Sequence, residues 1–141
     1  MADTQTPWCL DSNIFLYAVD TADPRKKAIA LALWQQSAFA CNVLPAQVLG
    51  EVFNASRTRF QYSSESAHAL VMELVNHHRV VPALEATFRM AVAENMATQR
   101  QFWDCVTIAT CAEHGVKTLY TENAAGQPQT VLGVQLVNPF A

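Results

Sequence analysis

"QFWDCVTIATCAEHGVKTLYTEN", residues 101–123, decides the fold. Up to Gly115 its apolar residues recur at helical spacing, and the glycine suits the left-handed residue that closes a helix. From Val116 to Thr121 it reads as a short apolar strand. Asp104 stands at the start of the apolar-striped helix, and Glu122 and Asn123 follow the strand. Polar groups placed at the carboxyl ends of strands are the pattern of an open α/β sheet with a site at that edge.

The same alternation extends in both directions. "WCLDSNIFLYAVD", residues 8–20, predicts a strand over 8–11 that leads into a helix at about 12–18. Asp23-Pro24 starts a second helix that ends near Phe39, since proline is favoured in a first turn. A strand at 41–44 follows, and Pro45 opens a helix to about Arg59 with Val48, Leu49, Val52 and Phe53 on one stripe. Ser63–Ser66 starts a helix to about Asn76. "RVVP" is a short strand, residues 84–97 form a helix, and a loop with Gly126 and Pro128 precedes a last strand near 133–139. Short apolar strands between amphipathic helices predict a parallel sheet covered on both faces.

The 141 residues suit one compact domain, 1–141, and with 51% apolar residues the chain can bury a core without covalent staples. A net charge of −3 excludes binding of nucleic acid by bulk charge alone. Any such role needs a bridging metal or local basic clusters, of which Arg25-Lys26-Lys27 and Arg57 with Arg59 are the two present. Cys9, Cys41, Cys105 and Cys111 form no CxxC and read as small buried residues of a reducing compartment. His68, His77, His78 and His114 do not combine with them at metal-ligand spacing. The start, MADTQTPW, lacks the basic and apolar regions of a signal peptide, and no apolar stretch is long enough to span a membrane, so a cytoplasmic location is expected.

The acids carry the functional signal. Asp11 is either the N-cap of the following helix or a ligand at the sheet edge. Glu51, three residues after Val48, lies at the margin of a buried helical face, where a carboxylate needs a partner; the alternative is an outward glutamate paired with a base such as Arg57. Asp104 suits a helix first turn whatever its function, and Glu122 and Asn123 suit a turn. Converging carboxylates repel and raise one another's pKa, a conflict that a hard divalent cation removes. Such an ion activates water and stabilises charge on a phosphate.

"LDSNIFLYA", the helical "GEV", "FWDCVTIATCAEHGVKTLYTEN" and the ending "GVQLVNPF" resemble a PIN-domain protein, and among these the VapC ribonuclease toxins of type II toxin–antitoxin modules. The resemblance covers essentially the whole chain. It implies a three-layer α/β/α sandwich with a short, mostly parallel sheet, a magnesium- or manganese-dependent acidic site, and cleavage of RNA, tRNA or other structured RNA included. Carried over residue by residue, its acids fall on Asp11, Glu51 and Asp104, with Asp11 and Asp104 as direct metal ligands. Glu51 acts through water or positions the nucleophile, and Ser12 and Asn13 cap and orient around Asp11. The fourth acid of the family comes in a Ser/Thr-x-Asp step, which here reads Thr121-Glu122-Asn123. Either Glu122 supplies the charge or Asn123 contributes a neutral oxygen.

The resemblance also implies a cognate antitoxin laid across the acidic groove and a homodimer, for which the apolar faces of the helices at about 24–38 and 63–76 are available. Two alternatives follow from the residues. One is a PIN module weakened at Asn123 that binds RNA or a protein partner. The other is a haloacid-dehalogenase-like phosphatase, disfavoured because Asn13 stands where a second Asp is typical.

Overall fold

The computed structural model describes residues 7–126 and 128–141. The stretch 101–123 folds as expected. Helix α6, Phe102–Glu113, ends at Gly115 with φ +75°, and strand β4, Thr118–Tyr120, follows. Before it come β1 (Trp8–Leu10), α1 (Ser12–Val19), α2 (Pro24–Phe39), β2 (Val43–Pro45), α3 (Ala46–Thr58), α4 (Ser64–His77), β3 (Arg79–Val81) and α5 (Glu85–Thr98). After it come β5 (Thr130–Val131) and β6 (Val134–Val137).

Strands β1, β4 and β6 pair in parallel, and β5 closes the edge antiparallel to β6, in the order β1-β4-β6-β5. Strands β2 and β3 form a separate parallel ladder, with β2 lying against β1. Successive side chains of a strand point to opposite faces, and the register uses this. Cys9, Leu119 and Leu136 stand side by side and join Ile108 and Cys111 of α6 in one core. Leu10 and Tyr120 face the other way, into a core built by Ile14, Phe15, Val48, Val52 and Leu74 of α1, α3 and α4. Helices therefore cover both faces of a small, mostly parallel sheet. On the face of Cys9, Leu119 and Leu136, α5 packs against α6 around Ala91, Cys105 and Val106.

Several details differ from the sequence reading. The loop expected before the last strand contains β5, joined to β6 through Leu132 and Gly133 at φ +53° and +78°. Two consecutive residues at positive φ make the tight hairpin turn whose twist matches the strands. Leucine is an unusual residue there, so the hairpin left no compositional mark. The strand expected at 41–44 is shifted to Val43–Pro45, because Cys41 turns the chain at φ +50°. Cys41 is exposed, not buried as expected; Cys9, Cys105 and Cys111 are buried, with the sulfurs of Cys9 and Cys111 3.0 Å apart. The sheet strands at 118–120 and 134–137 are shorter than the apolar runs that announced them.

A histidine is buried against the core of α1, α3 and α4. His78, 6% exposed, approaches the Leu74 carbonyl with Nδ1 at 2.9 Å and Ser37 Oγ with Nε2 at 2.7 Å. A carbonyl only accepts, so Nδ1 carries the proton and neutral Nε2 accepts from the Ser37 hydroxyl. Burial, chiefly, holds the His78 pKa below its usual value. The stability contributed by the neutral ring is thus present above the unfolded pKa of about 6.5 and is lost as pH falls through the folded value. Ser37→Ala, which orphans Nε2, is expected to cost about 1–2 kcal/mol at pH 7.5, measured by urea unfolding. The cost should shrink once the ring is protonated in both proteins.

Candidate active site

Parallel pairing of β1 with β4 sets the geometry. Leu10 lies opposite Tyr120, and the Asp11 amide donates to the Tyr120 carbonyl at 3.0 Å. Both strands release the chain at this end, so Asp11 and Thr121 meet although 110 residues separate them. Asp11 caps α1 in extended geometry. Its Oδ1 accepts from the Ser12 amide at 2.7 Å, and its Oδ2 accepts from the Thr121 hydroxyl at 2.9 Å. The carboxylate is only 5% exposed, and burial pushes its pKa up against those hydrogen bonds. Thr121 Oγ1 also accepts from Asn13 Nδ2 at 3.3 Å and from the Asn123 amide at 3.1 Å, while Asn13 Oδ1 takes the Glu122 amide at 3.2 Å. Asn13 and Thr121 thereby tie the start of α1 to the loop after β4.

Glu51 and Asp104 reach the same place from α3 and from the first turn of α6. Gln47, one turn before Glu51, donates from Nε2 to Glu51 Oε2 at 3.2 Å, to the Trp103 carbonyl at 2.9 Å and to Thr107 Oγ1 at 3.2 Å. Arg57, the partner weighed for an outward Glu51, instead donates to the Tyr62 carbonyl. Glu51 Oε1 is buried without a partner. Burial and then the Asp11 charge raise the Glu51 pKa, opposed by Gln47 and Ser12. Asp104 is raised to about 6, by burial first and Asp11 second, with Arg100 acting against them. Asp11, Glu51, Asp104 and Asn123 line one cleft of about 530 Å³, together with Gln101 and Arg59.

Glu122 faces elsewhere. Its Oε2 lies 2.6 Å from Lys26 Nζ, and Tyr17 Oη donates to Oε1 at 2.8 Å. Burial pushes its pKa up, but Lys26 and Tyr17 outweigh burial and leave it below the usual carboxylate value. Adjacent residues leaving a strand diverge. Here Asn123 lines the acidic cleft, and the Glu122 carboxylate is held by Tyr17 and Lys26 on the side of α1 and α2.

A model of the PIN domain matches residues 8–127. The chain belongs to the PIN domain family. Solved structures of similar fold include Mycobacterium tuberculosis VapC20, described as a sarcin–ricin-loop-cleaving toxin, at 16% identity and a TM-score of 0.65, covering 82% of this chain and 91% of that one. A toxin–antitoxin complex from Klebsiella pneumoniae matches at 16% identity and a TM-score of 0.63, covering 93% and 96%. VapBC2 from Rickettsia felis, bound to a DNA fragment from its promoter, matches at 12% identity and a TM-score of 0.67, covering 93% and 97%. No curated protein matches at the sequence level. No described helix is long and apolar enough to cross a membrane.

In this PIN domain the acids read from the sequence, Asp11, Glu51 and Asp104, share a cleft. Sequence reasoning missed the residues that position them, namely Thr121 and Gln47. Spacing carries no signal for these, because their partners become neighbours only through the pairing of β1 with β4 and the packing of α3 against the start of α6. Among the described residues, no three His, Cys, Asp or Glu side chains stand ready as a metal cage. The donor set nevertheless fits a hard cation. It is all oxygen, the Asp11 charge raises the pKa of both Glu51 and Asp104, and Glu51 Oε1 is unsatisfied. Magnesium, moreover, binds through one or two carboxylates and keeps several waters.

The raised Asp104 pKa has a thermal signature. A carboxyl whose folded pKa lies above the unfolded 3.8 binds protons more tightly when folded, so its ionisation costs stability as pH rises through about 6. Asp104→Asn should raise the melting temperature of the metal-free PIN domain at pH 7.5 by a few degrees, from about 1 kcal/mol after discounting for solvent screening. Calorimetry at pH 4 should find that gain gone.

Proposed function

We propose that the protein is a divalent-metal-dependent endoribonuclease and the toxin of a toxin–antitoxin pair, working in the cytoplasm as a single domain over residues 1–141. The observation that carries this reading is the cleft in which Asp11, Glu51 and Asp104 converge in a PIN fold, with the Asp11 charge raising the pKa of the other two. Likeness of fold to VapC20, whose description names cleavage of an RNA loop, and to toxin–antitoxin complexes supports substrate and partner class.

In this reading Asp11 and Asp104 hold magnesium or manganese. A bound ion of this kind supplies a water of lowered pKa and neutralises charge on the phosphate. Thr121 and Ser12 fix the Asp11 carboxylate, so its orientation costs nothing at the moment of reaction. Glu51, with a raised pKa and a free Oε1, orients the attacking water and accepts its proton. Asn123 offers a neutral oxygen where the family pattern has a carboxylate, and Glu122, neutralised by Lys26, shapes the loop. The cleft thus carries one charge fewer than a four-acid site, which also supports the second reading, a PIN module of reduced activity. The phosphatase alternative gains nothing from the family match.

The partners proposed are RNA, with tRNA or another structured RNA as target, a cognate antitoxin, and a second copy of this chain. An antitoxin arginine that competes with metal for the carboxylates accounts for neutralisation. The exposed apolar residues Met72 and Val75 on α4 and Phe39 at the end of α2 suit a self-interface.

Asp11→Asn and Asp104→Asn are each expected to lower magnesium-dependent cleavage of RNA at least 100-fold with circular dichroism unchanged. Full activity in either variant would sink the assignment. Glu122→Gln should be far milder. Asn123→Asp should tighten metal binding several-fold in titrations followed by calorimetry and increase cleavage at limiting magnesium. Flat metal curves for both Glu122→Gln and Asn123→Asp would remove the loop after β4 from the site.

A further inference from the structure

A second cavity, of about 190 Å³, adjoins the acidic cleft. Asn13, Leu16, Arg59 and Asn123 line both, so the two spaces share a wall. Beyond that wall the cavity is bounded by Tyr17, Asp20, Phe60 and Glu122. Its charges balance in number: Asp20 and Glu122 are offset by Arg59 on the wall and by Lys26, which pairs with Glu122. A cavity without net charge suits a neutral polar group more than a phosphate. Leu16, Phe60 and the Tyr17 ring give it apolar walls, and two carboxylates, of Asp20 and Glu122, are among its polar groups. Glu122 retains unused lone pairs after Tyr17 and Lys26 are satisfied. Asp20, whose own amide closes α1, uses Oδ1 on the Ala22 amide and leaves Oδ2 free. The Arg59 guanidinium, exposed and lining both cavities, sits 5.8 Å from the Phe60 ring centre.

We propose that this cavity binds one unpaired nucleobase next to the scissile phosphate and selects a base with a donor edge, with Phe60 and Arg59 contacting its face and the adjacent phosphate. The assignment rests on the ribonuclease reading and goes beyond it by naming a specificity pocket. Guanine presents a ring N–H beside an exocyclic amine, two adjacent donors that match the two oxygens of one carboxylate; Asp20 offers Oδ2 and the second lone pair of Oδ1. Single-stranded RNA is read in this way, by stacking on aromatic side chains and hydrogen bonds to an exposed base edge. Charge is divided accordingly. The acidic cleft faces the reacting phosphate, the neutral cavity takes the base, and Arg59 between them meets the backbone.

The test is cleavage of a randomised single-stranded RNA by the full chain with magnesium, followed by sequencing of the ends. The wild type is expected to cut beside guanine, and inosine at that position, which lacks the exocyclic amine, should reduce cutting there about tenfold. Asp20→Asn keeps the bond to the Ala22 amide but replaces an acceptor by a donor. It should lower the guanine preference about tenfold while cuts spread to other positions. Phe60→Ala should weaken cutting beside every base to a similar degree through lost stacking. Because Phe60 also packs against the core of α1, α3 and α4, the Asp20 variant decides if the Phe60 variant fails to fold. A wild type that cuts without neighbour preference, or a preference that survives Asp20→Asn, overturns the pocket and leaves the ribonuclease reading standing. Variants that weaken only antitoxin binding make the cavity a protein-docking pocket and also overturn the proposal. A wild type that cleaves no RNA with any divalent ion removes the ribonuclease reading, and this assignment with it.

Discussion

The hydrogen bond from the Thr121 hydroxyl to the buried Asp11 carboxylate, 2.9 Å long across 110 residues of chain, is the contact on which the cleft depends. A nearly buried carboxylate is costly unless hydrogen-bonded. Asp11 is satisfied from two sides, by the Ser12 amide that it caps and by Thr121. The Ser12 contact is local, but Thr121 is in reach only if β1 lies parallel to β4 in the register that sets Leu10 opposite Tyr120. A slip by one residue would turn Cys9 and Leu119 out of the core around α6 and carry Thr121 away from Asp11. The packing that fixes the sheet therefore also fixes the acid.

The sequence made the stretch 101–123 legible because several signals agree there: an apolar helical stripe, a glycine that takes positive φ, and a short apolar strand. The hairpin of β5 and β6 was not legible, since its turn places Leu132 at φ +53°, where composition predicts glycine or asparagine. Cys41 escaped for a similar reason. Its turn conformation comes from the end of α2 meeting the start of β2, not from an intrinsic preference of cysteine.

The acids were legible as a set, through their places at strand ends and helix starts, but their partners were not. Glu51 illustrates why. Arg57 lies six residues on, well around the helix, and binds the Tyr62 carbonyl, whereas Gln47, one turn back, shares a face with Glu51 and bridges it to Trp103 and Thr107. Helical geometry favours the i−4 neighbour over the more distant cation. Thr121 is a harder case. Its hydroxyl serves Asp11, Asn13 and the Asn123 amide at once, a role that tertiary contacts alone define.

The Thr121-Glu122-Asn123 step divides charge between two neighbouring spaces. Glu122 turns toward Lys26 of the basic run on α2, whose ammonium also lies 4.6 Å from the Tyr17 ring centre. That pairing removes one negative charge from the surroundings of Asp11, Glu51 and Asp104, where a fourth carboxylate would raise the pKa of the others further. With Asn123 on the cleft side, repulsion in the metal-free protein is limited to the three acids, and α2 is fastened to the loop that carries Thr121. The same arrangement leaves the adjoining cavity without net charge, because Lys26 pairs with Glu122 and the cavity wall carries both Arg59 and Asp20. A single outward turn of Glu122 thus sets the charge of both spaces: three acids where a phosphate and its counter-ion are proposed to meet, and no net charge where a base is proposed to lie.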